Sequence, residues 1–376
     1  MIYMDNSATT RISDDILEEL IFNLKEEYGN PSSIYSISQS SKEKVENARR
    51  KIAKVLNVKP KEIFFTSGGS ESDNWALKGI AHSYKEKGRH IITTKIEHHA
   101  ILHTAEFLEE LGYEITYLNV DENGFINLKE LEDSIREDTI LISVMFANNE
   151  VGTIEPIKEI GEIAKKHNVL FHTDAVQAFG NVKIDLSELN VDLMSFSGHK
   201  IHAPKGIGVL YIKDGVKITP LIHGGAQERQ KRAGTENTAY IVAIGQAFEN
   251  AVKDFDEKEK NVIQMRNRLI DNLTSVKGIY LNGPVDKRLP GNVNISIDGV
   301  KSSELLMMLD MNGICASSGS ACTAGSLEPS HVLIAMGKSE NHARNCLRLT
   351  LNSLNTMDEI ERVSEEVIKQ VEKLRK

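Results

Sequence analysis

Three features of the chain predict an α/β fold, a large domain on a mostly parallel sheet covered by helices with a smaller α+β domain beside it. Short β-rich runs alternate with helical ones from Glu62 onward, the β-α-β-α order of a sheet buried on both faces. Beyond about residue 258 that regularity is lost, and strands and helices mix. The 376 residues, 40% of them hydrophobic and 26% charged, suffice for two cores. The large domain is expected over 15–257 and the small one over 1–14 and 258–376.

The elements follow in order. The chain opens extended and ends that stretch on Asn6-Ser7-Ala8-Thr9-Thr10. Ser13 is placed as an N-cap, and Ile16, Leu17, Leu20, Ile21 and Leu24 recur at helical spacing. A loop at 29–33 precedes a second amphipathic helix over 45–56. Strands are expected at 63–65, 91–93, 115–118, 140–144 and 169–171, with helices at 75–87 and 157–167 between them. A further apolar run at 191–196 stops on Ser197-Gly198-His199-Lys200, which delivers one lysine to a strand end. A long helical stretch over 236–275 carries charge clusters near 254–260 that mark a bend. The second block reads as a strand at 293–297, a helix at 303–309, a Gly/Ser-rich loop at 316–326, a strand at 347–351 and an amphipathic helix at 357–374. No internal repeat is visible.

A formal net charge of −9 and the lack of any long Lys/Arg run argue against a general affinity for nucleic acid or anionic membrane. The first residues have neither a basic nor an apolar leader pattern, and no window approaches the ~20 apolar residues of a membrane span. A cytoplasmic protein is expected. Cys315, Cys322 and Cys346 are too scattered for a disulfide framework, so a special cysteine is expected to be a reactive thiol.

Ligands of such sheets bind at the carboxyl ends of the strands. After the first run comes Thr66-Ser67-Gly68-Gly69-Ser70-Glu71, which reads equally as an anion cup at a helix N-terminus or as a capping box. Next come Glu97-His98-His99-Ala100, with a ring for stacking or proton transfer; no carboxylate or cysteine stands at ligand spacing, and no metal is expected. Asn148-Asn149 offer two amides to the same cleft. Asp174 ends an interior strand, where a buried carboxylate requires a cation. Lys200 is a candidate Schiff-base lysine, although taken alone an ordinary surface lysine is the stronger reading. Taken together, the set matches pyridoxal phosphate: a seat for phosphate, a ring to stack, a carboxylate for the ring nitrogen and a lysine for the aldehyde.

With these residues in view, the chain resembles the cysteine desulfurases of the NifS/IscS type, a branch of the fold-type-I pyridoxal-phosphate-dependent transferases, over essentially its whole length. The motifs that carry the likeness include Asp5-Asn6-Ser7-Ala8-Thr9-Thr10, Asn148-Asn149-Glu150-Val151-Gly152, Ser195 through Gly206, Arg232-Ala233-Gly234-Thr235-Glu236-Asn237 and Ser317-Ser318-Gly319-Ser320-Ala321-Cys322-Thr323. The resemblance implies that Lys200 holds the cofactor aldehyde, Asp174 pairs with the ring nitrogen, His98 stacks on the ring and Gln177 bonds its hydroxyl. It implies further that Gly69, Ser70, Ser197 and His199 hold the phosphate, with Thr235 reaching it from a second copy in a homodimer. Asn149 and Arg348 are implied for the substrate carboxylate, a structural carboxylate partner for Arg348 being the other possibility. Cys322 is implied as the nucleophile that takes sulfur from L-cysteine, leaving alanine, and passes it to a protein acceptor such as an iron–sulfur scaffold or a thiolation enzyme. His98 is a proton carrier for a thiol, while Cys315 and Cys346 read as packed residues. Selenocysteine lyase or an aminotransferase of the same fold type is the alternative activity. Tyr35, Ala203 and Asn352-Ser353 depart from the family pattern, where histidine, glycine and Gly-Arg are usual.

Overall fold

The structure, a computed structural model, describes residues 1–319 and 329–376. Strand β1 (Ile2–Tyr3) and helices Asp14–Glu26 and Ser36–Leu56 precede the main sheet. That sheet contains β2 (Ile63–Thr66), β3 (His90–Thr94), β4 (Glu114–Leu118), β5 (Thr139–Ser143), β6 (Leu170–Asp174), β7 (Leu193–Ser197) and β8 (Gly208–Ile212), in the order β2-β8-β7-β6-β5-β3-β4. The pairs β3–β4, β3–β5, β5–β6 and β6–β7 are parallel, and only β8 runs against its neighbours. Every residue of β2, β3, β5, β7 and β8 is buried, as a sheet covered on both faces demands.

Two elements of this layer escaped the sequence pattern. Strand β8 follows β7 with only the short turn Gly198–Lys200 and a loop between them, so it breaks the strand–helix alternation. Helix His99–Glu110 is capped by an imidazole: His98 Nδ1 accepts the Ala100 N–H at 3.1 Å, where Ser, Thr or Asp is the usual signal. The helix expected from 75 begins at Gly69, which puts its free N–H groups at the end of β2. The long stretch over 236–275 is two helices, Thr238–Val252 and Phe255–Thr274, separated at Asp254, whose φ of +53° is left-handed. The bend lies where the charge clusters placed it.

The second block forms an antiparallel sheet β12-β10-β9 from β9 (Ile279–Leu281), β10 (Asn292–Ile297) and β12 (Cys346–Thr350), and β11 (Ile314–Cys315) pairs in parallel with β1. Its core joins Ile2 and Met4 to residues from Val262 through Val371, among them Leu269 of Phe255–Thr274 and Val363 and Val367 of the last helix, Met357–Leu374. The largest other core holds residues from Ile16 through Phe248, with Leu289. On these cores we propose the division 15–257 against 1–14 with 258–376, helix Phe255–Thr274 leading from one into the other. Phe179 stacks on Phe248 at 4.2 Å, and Phe196 meets both edge-on at 5.4 Å, which ties the turn after β6 and the end of β7 to helix Thr238–Val252.

Gly208 pairs with Thr66 and Ser197, the last residues of β2 and β7. A Cβ there would lie 2.6 Å from the Gly68 carbonyl carbon and 2.8 Å from the Phe196 oxygen, both backbone atoms that cannot swing aside. Gly208→Ala is therefore expected to cost about 1–3 kcal/mol and to loosen the strand ends. Thermal denaturation checks this, and an unchanged midpoint would contradict it.

Candidate active site

The carboxyl ends of β2, β3, β5, β6 and β7 open on one cavity of about 280 Å³. Gly69 and Ser70 reach it after β2, His98 and His99 after β3, Asn149 after β5, Asp174 and Gln177 from β6, and Ser197, His199 and Lys200 from β7. Residues separated by more than a hundred positions meet here because parallel strands all point the same way. Arg348 of β12 closes the wall from the second block.

Asp174 lies opposite Ser195 in the β6–β7 ladder, and its Oδ1 accepts the Val176 N–H at 2.8 Å. Burial pushes its carboxyl up to about 6, against the pull of Lys200. Asp73 and Glu97, both fully buried, are raised well above the carboxylate range, chiefly by burial, and each keeps one oxygen that accepts nothing among the described residues. His172 sits between Ser143 Oγ and Ser195 Oγ, each at 2.9 Å, and burial lowers it to about 3, so it is neutral. The buried groups at and around these strand ends are thus driven away from charge, and among the described residues the lysine and arginine that line the cavity are Lys200 and Arg348.

Lys200 Nζ donates to the carbonyls of Ser7 and, at 2.9 Å, Ala8, so the N-terminal segment holds the amine in place. Gln177 Nε2 donates to the same Ser7 carbonyl at 2.9 Å. His199 Nδ1 faces Thr9 Oγ1 at 3.2 Å; burial, then the charges of Lys200 and Lys205, lower it to about 4. His98 is likewise lowered to about 4, by burial and then by Lys200 and its neighbouring imidazoles. Both rings are neutral at physiological pH.

At the end of β2 the helix N-cap is Gly68, with no side-chain cap, so the capping box headed by Ser67 or Ser70 does not form. Glu71 accepts the Ser67 N–H at 2.7 Å and pairs with Arg232 at 2.8 Å, while Gly69 and Ser70 line the cavity. Of the two expected amides only Asn149 faces the cavity. Asn148 is fully buried and bonds backbone groups of Ile96, Glu150 and Val151, so it shapes the turn. Arg348, 1% exposed, pairs with Asp5 at 3.0 Å and donates to the Asn149 carbonyl at 3.1 Å. It thus has the structural carboxylate partner, although its Nε has no partner among the described residues and the group lines the cavity. Thr235 is exposed and does not line this cavity. Cys322 lies outside the described residues; Cys346 is buried and Cys315 half-buried, both free thiols.

Asp5 and Glu150 were quoted from the sequence only as members of motifs, without a role, and Asp73 and His331 were not singled out; His331 lines the cavity and packs its ring 4.8 Å from that of His99. A lone carboxylate or histidine gives no signal until the fold brings it to the strand ends. No group of described residues is arranged to hold a metal ion. Tyr35 is exposed and Ala203 buried, while Asn352 and Ser353 line an adjoining cavity of about 450 Å³ that shares Ser7, Gln177 and Lys200 with the first.

The residues fit pyridoxal phosphate. A Cβ on Gly69 would meet Val176 Cγ2 at 2.8 Å, so glycine leaves the helix N-terminus bare beside Ser197, a seat for an anion. The buried Asp174 carboxylate calls for the cation that a protonated ring nitrogen supplies. The sequence profile of the family described as aminotransferase class-V matches residues 2–363. A cysteine desulfurase IscS of Clostridium botulinum is 55% identical over 98% of this chain and 94% of that relative. Among solved structures, a NifS-like protein superposes with a TM-score of 0.94 at 41% identity, covering 99% of both chains. A structure of SspA in complex with cysteine gives 0.84 at 36% identity, over 94% of this chain and 99% of the other.

Because burial holds the Asp174 carboxyl above its unfolded value, the cofactor-free fold binds a proton more readily than the unfolded chain. Stability from this group is therefore lost as pH rises from about 4 to about 6. Asp174→Asn is expected to raise the melting temperature of the cofactor-free protein at neutral pH while weakening its hold on pyridoxal phosphate. Calorimetry with and without the cofactor checks both signs; a variant destabilised without cofactor would contradict the account.

Proposed function

The chain belongs to the class-V aminotransferase family, and on that premise we propose that it is a pyridoxal-phosphate-dependent cysteine desulfurase that moves sulfur from L-cysteine to the thiol of Cys322. The observation that carries the reading is the convergence of Lys200, Asp174, His98 and the Gly69–Ser70 helix terminus on one cavity. The cofactor, when bound, supplies an electron sink for the bonds at the substrate α-carbon.

The chain's own groups do the rest. Gly69, Ser70, Ser197 and His199 would hold the phosphate, His199 as a neutral N–H donor. Asp174 would hold the ring nitrogen protonated, Gln177 would bond the ring hydroxyl and His98 would cover the ring. Lys200 would hold the cofactor, and its Nζ is the group that would take the α-proton of the substrate. Arg348 and Asn149 orient the substrate carboxylate, for which Arg348 Nε is available. As the Cys322 S–S bond forms, the substrate C–S bond breaks, and a proton takes the place of sulfur on the carbon that leaves as alanine.

The same reading includes a homodimer in which Thr235, exposed on its own subunit, serves the neighbouring site. It also includes a protein acceptor for the persulfide, and a cytoplasmic setting that fits the free thiols of Cys315 and Cys346. Reduced, cofactor-loaded protein given L-cysteine is expected to yield alanine and to gain one sulfur on Cys322 by intact mass. Lys200→Ala loses both products, and Cys322→Ser loses the persulfide with at least about 10²-fold of the rate. Alanine formation that survives Cys322→Ser at full rate would point instead to a lyase or aminotransferase.

A further inference from the structure

Asn352 stands two residues beyond β12, where the family pattern has glycine, and its side chain makes a contact that glycine cannot make. Its Nδ2 donates to Asn6 Oδ1 at 2.8 Å. Backbone partners at each end settle the direction of that bond. Asn6 Nδ2 donates to the Thr350 carbonyl at 2.8 Å, which turns the Asn6 oxygen toward Asn352. Asn352 Oδ1 accepts the Leu354 N–H at 2.9 Å, which turns its nitrogen toward Asn6. The Asn352 N–H in turn meets Asn355 Oδ1 at 2.9 Å, and Asn355 Nδ2 reaches the Tyr3 carbonyl at 3.3 Å. Three asparagines thus join the turn after β12 to the start of the chain.

The segment they hold is a thin wall. Asn6 and Ser7 line the cavity of about 450 Å³, and Ser7 and Ala8 line the cofactor cavity of about 280 Å³. Open space supplies no packing contacts, so the segment relies on hydrogen bonds to fix it. The Asn6 N–H meets the Thr350 carbonyl at 3.2 Å and the Ser7 N–H meets Thr350 Oγ1 at 2.9 Å. Together with the Asn6 Nδ2 bond, these centre on one residue. Asn352 adds a second point of attachment, and a segment held at two points cannot pivot about either.

This wall carries the lysine. The Ser7 carbonyl accepts from Lys200 Nζ and, at 2.9 Å, from Gln177 Nε2, while the Ala8 carbonyl accepts from Lys200 Nζ at 2.9 Å. Asn6 is joined directly to Ser7, so a pivot at Asn6 moves the first of these carbonyls. Carbonyl acceptors favour the charged amine and also fix where it stands, and small displacements of a reacting group are costly. The titratable groups whose charge interacts with the amine are Asp174, His98 and His199, on other elements.

We propose that Asn352 is a further positioning residue of the reaction: by fixing Asn6 it keeps the Ser7 carbonyl on Lys200 Nζ, so that the amine is presented in one place to the substrate proton. The proposal rests on the desulfurase reading.

The test compares the wild type with Asn352→Ala, Asn6→Ala, the double variant and Asn352→Asp. Cofactor-free protein is acetylated with acetic anhydride across roughly pH 7 to 11, where lysines titrate, and the extent at Lys200 is read by peptide mass. In both alanine variants Lys200 is expected to react from a lower pH than in the wild type, because a displaced carbonyl favours the ammonium less. Exposed lysines such as Lys129 should label as before. Cofactor-loaded Asn352→Ala should lose about 2–10-fold in kcat, the worth of one hydrogen bond, at unchanged KM for L-cysteine. The double variant should lose no more than Asn6→Ala, since both substitutions break the same contact. Asn352→Asp keeps the acceptor for the Leu354 N–H but sets an oxygen against Asn6 Oδ1, and should lose as much kcat as Asn352→Ala. Wild-type labelling and kcat in Asn352→Ala would overturn the proposal, as would losses that add in the double variant or an Asn352→Asp that behaves as wild type. If the wild type forms no alanine, the desulfurase reading fails, and the labelling profile, which needs no turnover, still decides whether Asn352 positions the amine.

Discussion

A carboxylate buried at the end of an interior strand sets the terms for everything around it. Asp174 is held on β6 with one backbone N–H for company, and burial opposes its charge. Such a group is costly unless a cation meets it. The neighbouring buried groups do not compete for that cation: Asp73 and Glu97 are driven toward the neutral form, and His172 is neutral between two hydroxyls. On the proposed reading, Lys200 and a protonated cofactor ring nitrogen supply the cation that Asp174 calls for.

The second block reaches the cavity with Arg348 and His331, and an ion pair holds Arg348. Arg348 on β12 meets Asp5 on the N-terminal segment, which bridges β12 at Thr350, so the guanidinium, the start of the chain and the small sheet are held together. Removing one partner of a buried pair costs about 3–5 kcal/mol, because the other charge is left behind. The same segment continues to Ser7 and Ala8, whose carbonyls hold Lys200. The Arg348 guanidinium and the Lys200 amine are thus both tied to a few residues of the N-terminal segment, whose Ile2 and Met4 pack in the small core.

The strand–helix alternation made the large sheet legible, because buried parallel strands are written as short apolar runs and the chemistry falls just after each one. Asp174, His98 and Lys200 were found that way. The alternation hid β8, which returns antiparallel without a helix, and the His98 cap, which uses an imidazole where hydroxyls and carboxylates are the familiar signal. It also credited Asn148 with facing the cleft, although its amide is consumed by the turn that presents Asn149. The contacts of Asp5 and His331 were illegible for a different reason: each is made with a partner far away in sequence, Arg348 for one and Glu97 and His99 for the other, and no local spacing records it.

The measurement that bears most directly on this account is the protonation state of the cofactor's ring nitrogen on the protein, read by nitrogen NMR with labelled pyridoxal phosphate across the neutral range. The account predicts a protonated ring nitrogen throughout in the wild type and an unprotonated one in Asp174→Asn. A ring nitrogen that is unprotonated in the wild type, or indifferent to Asp174, would contradict it.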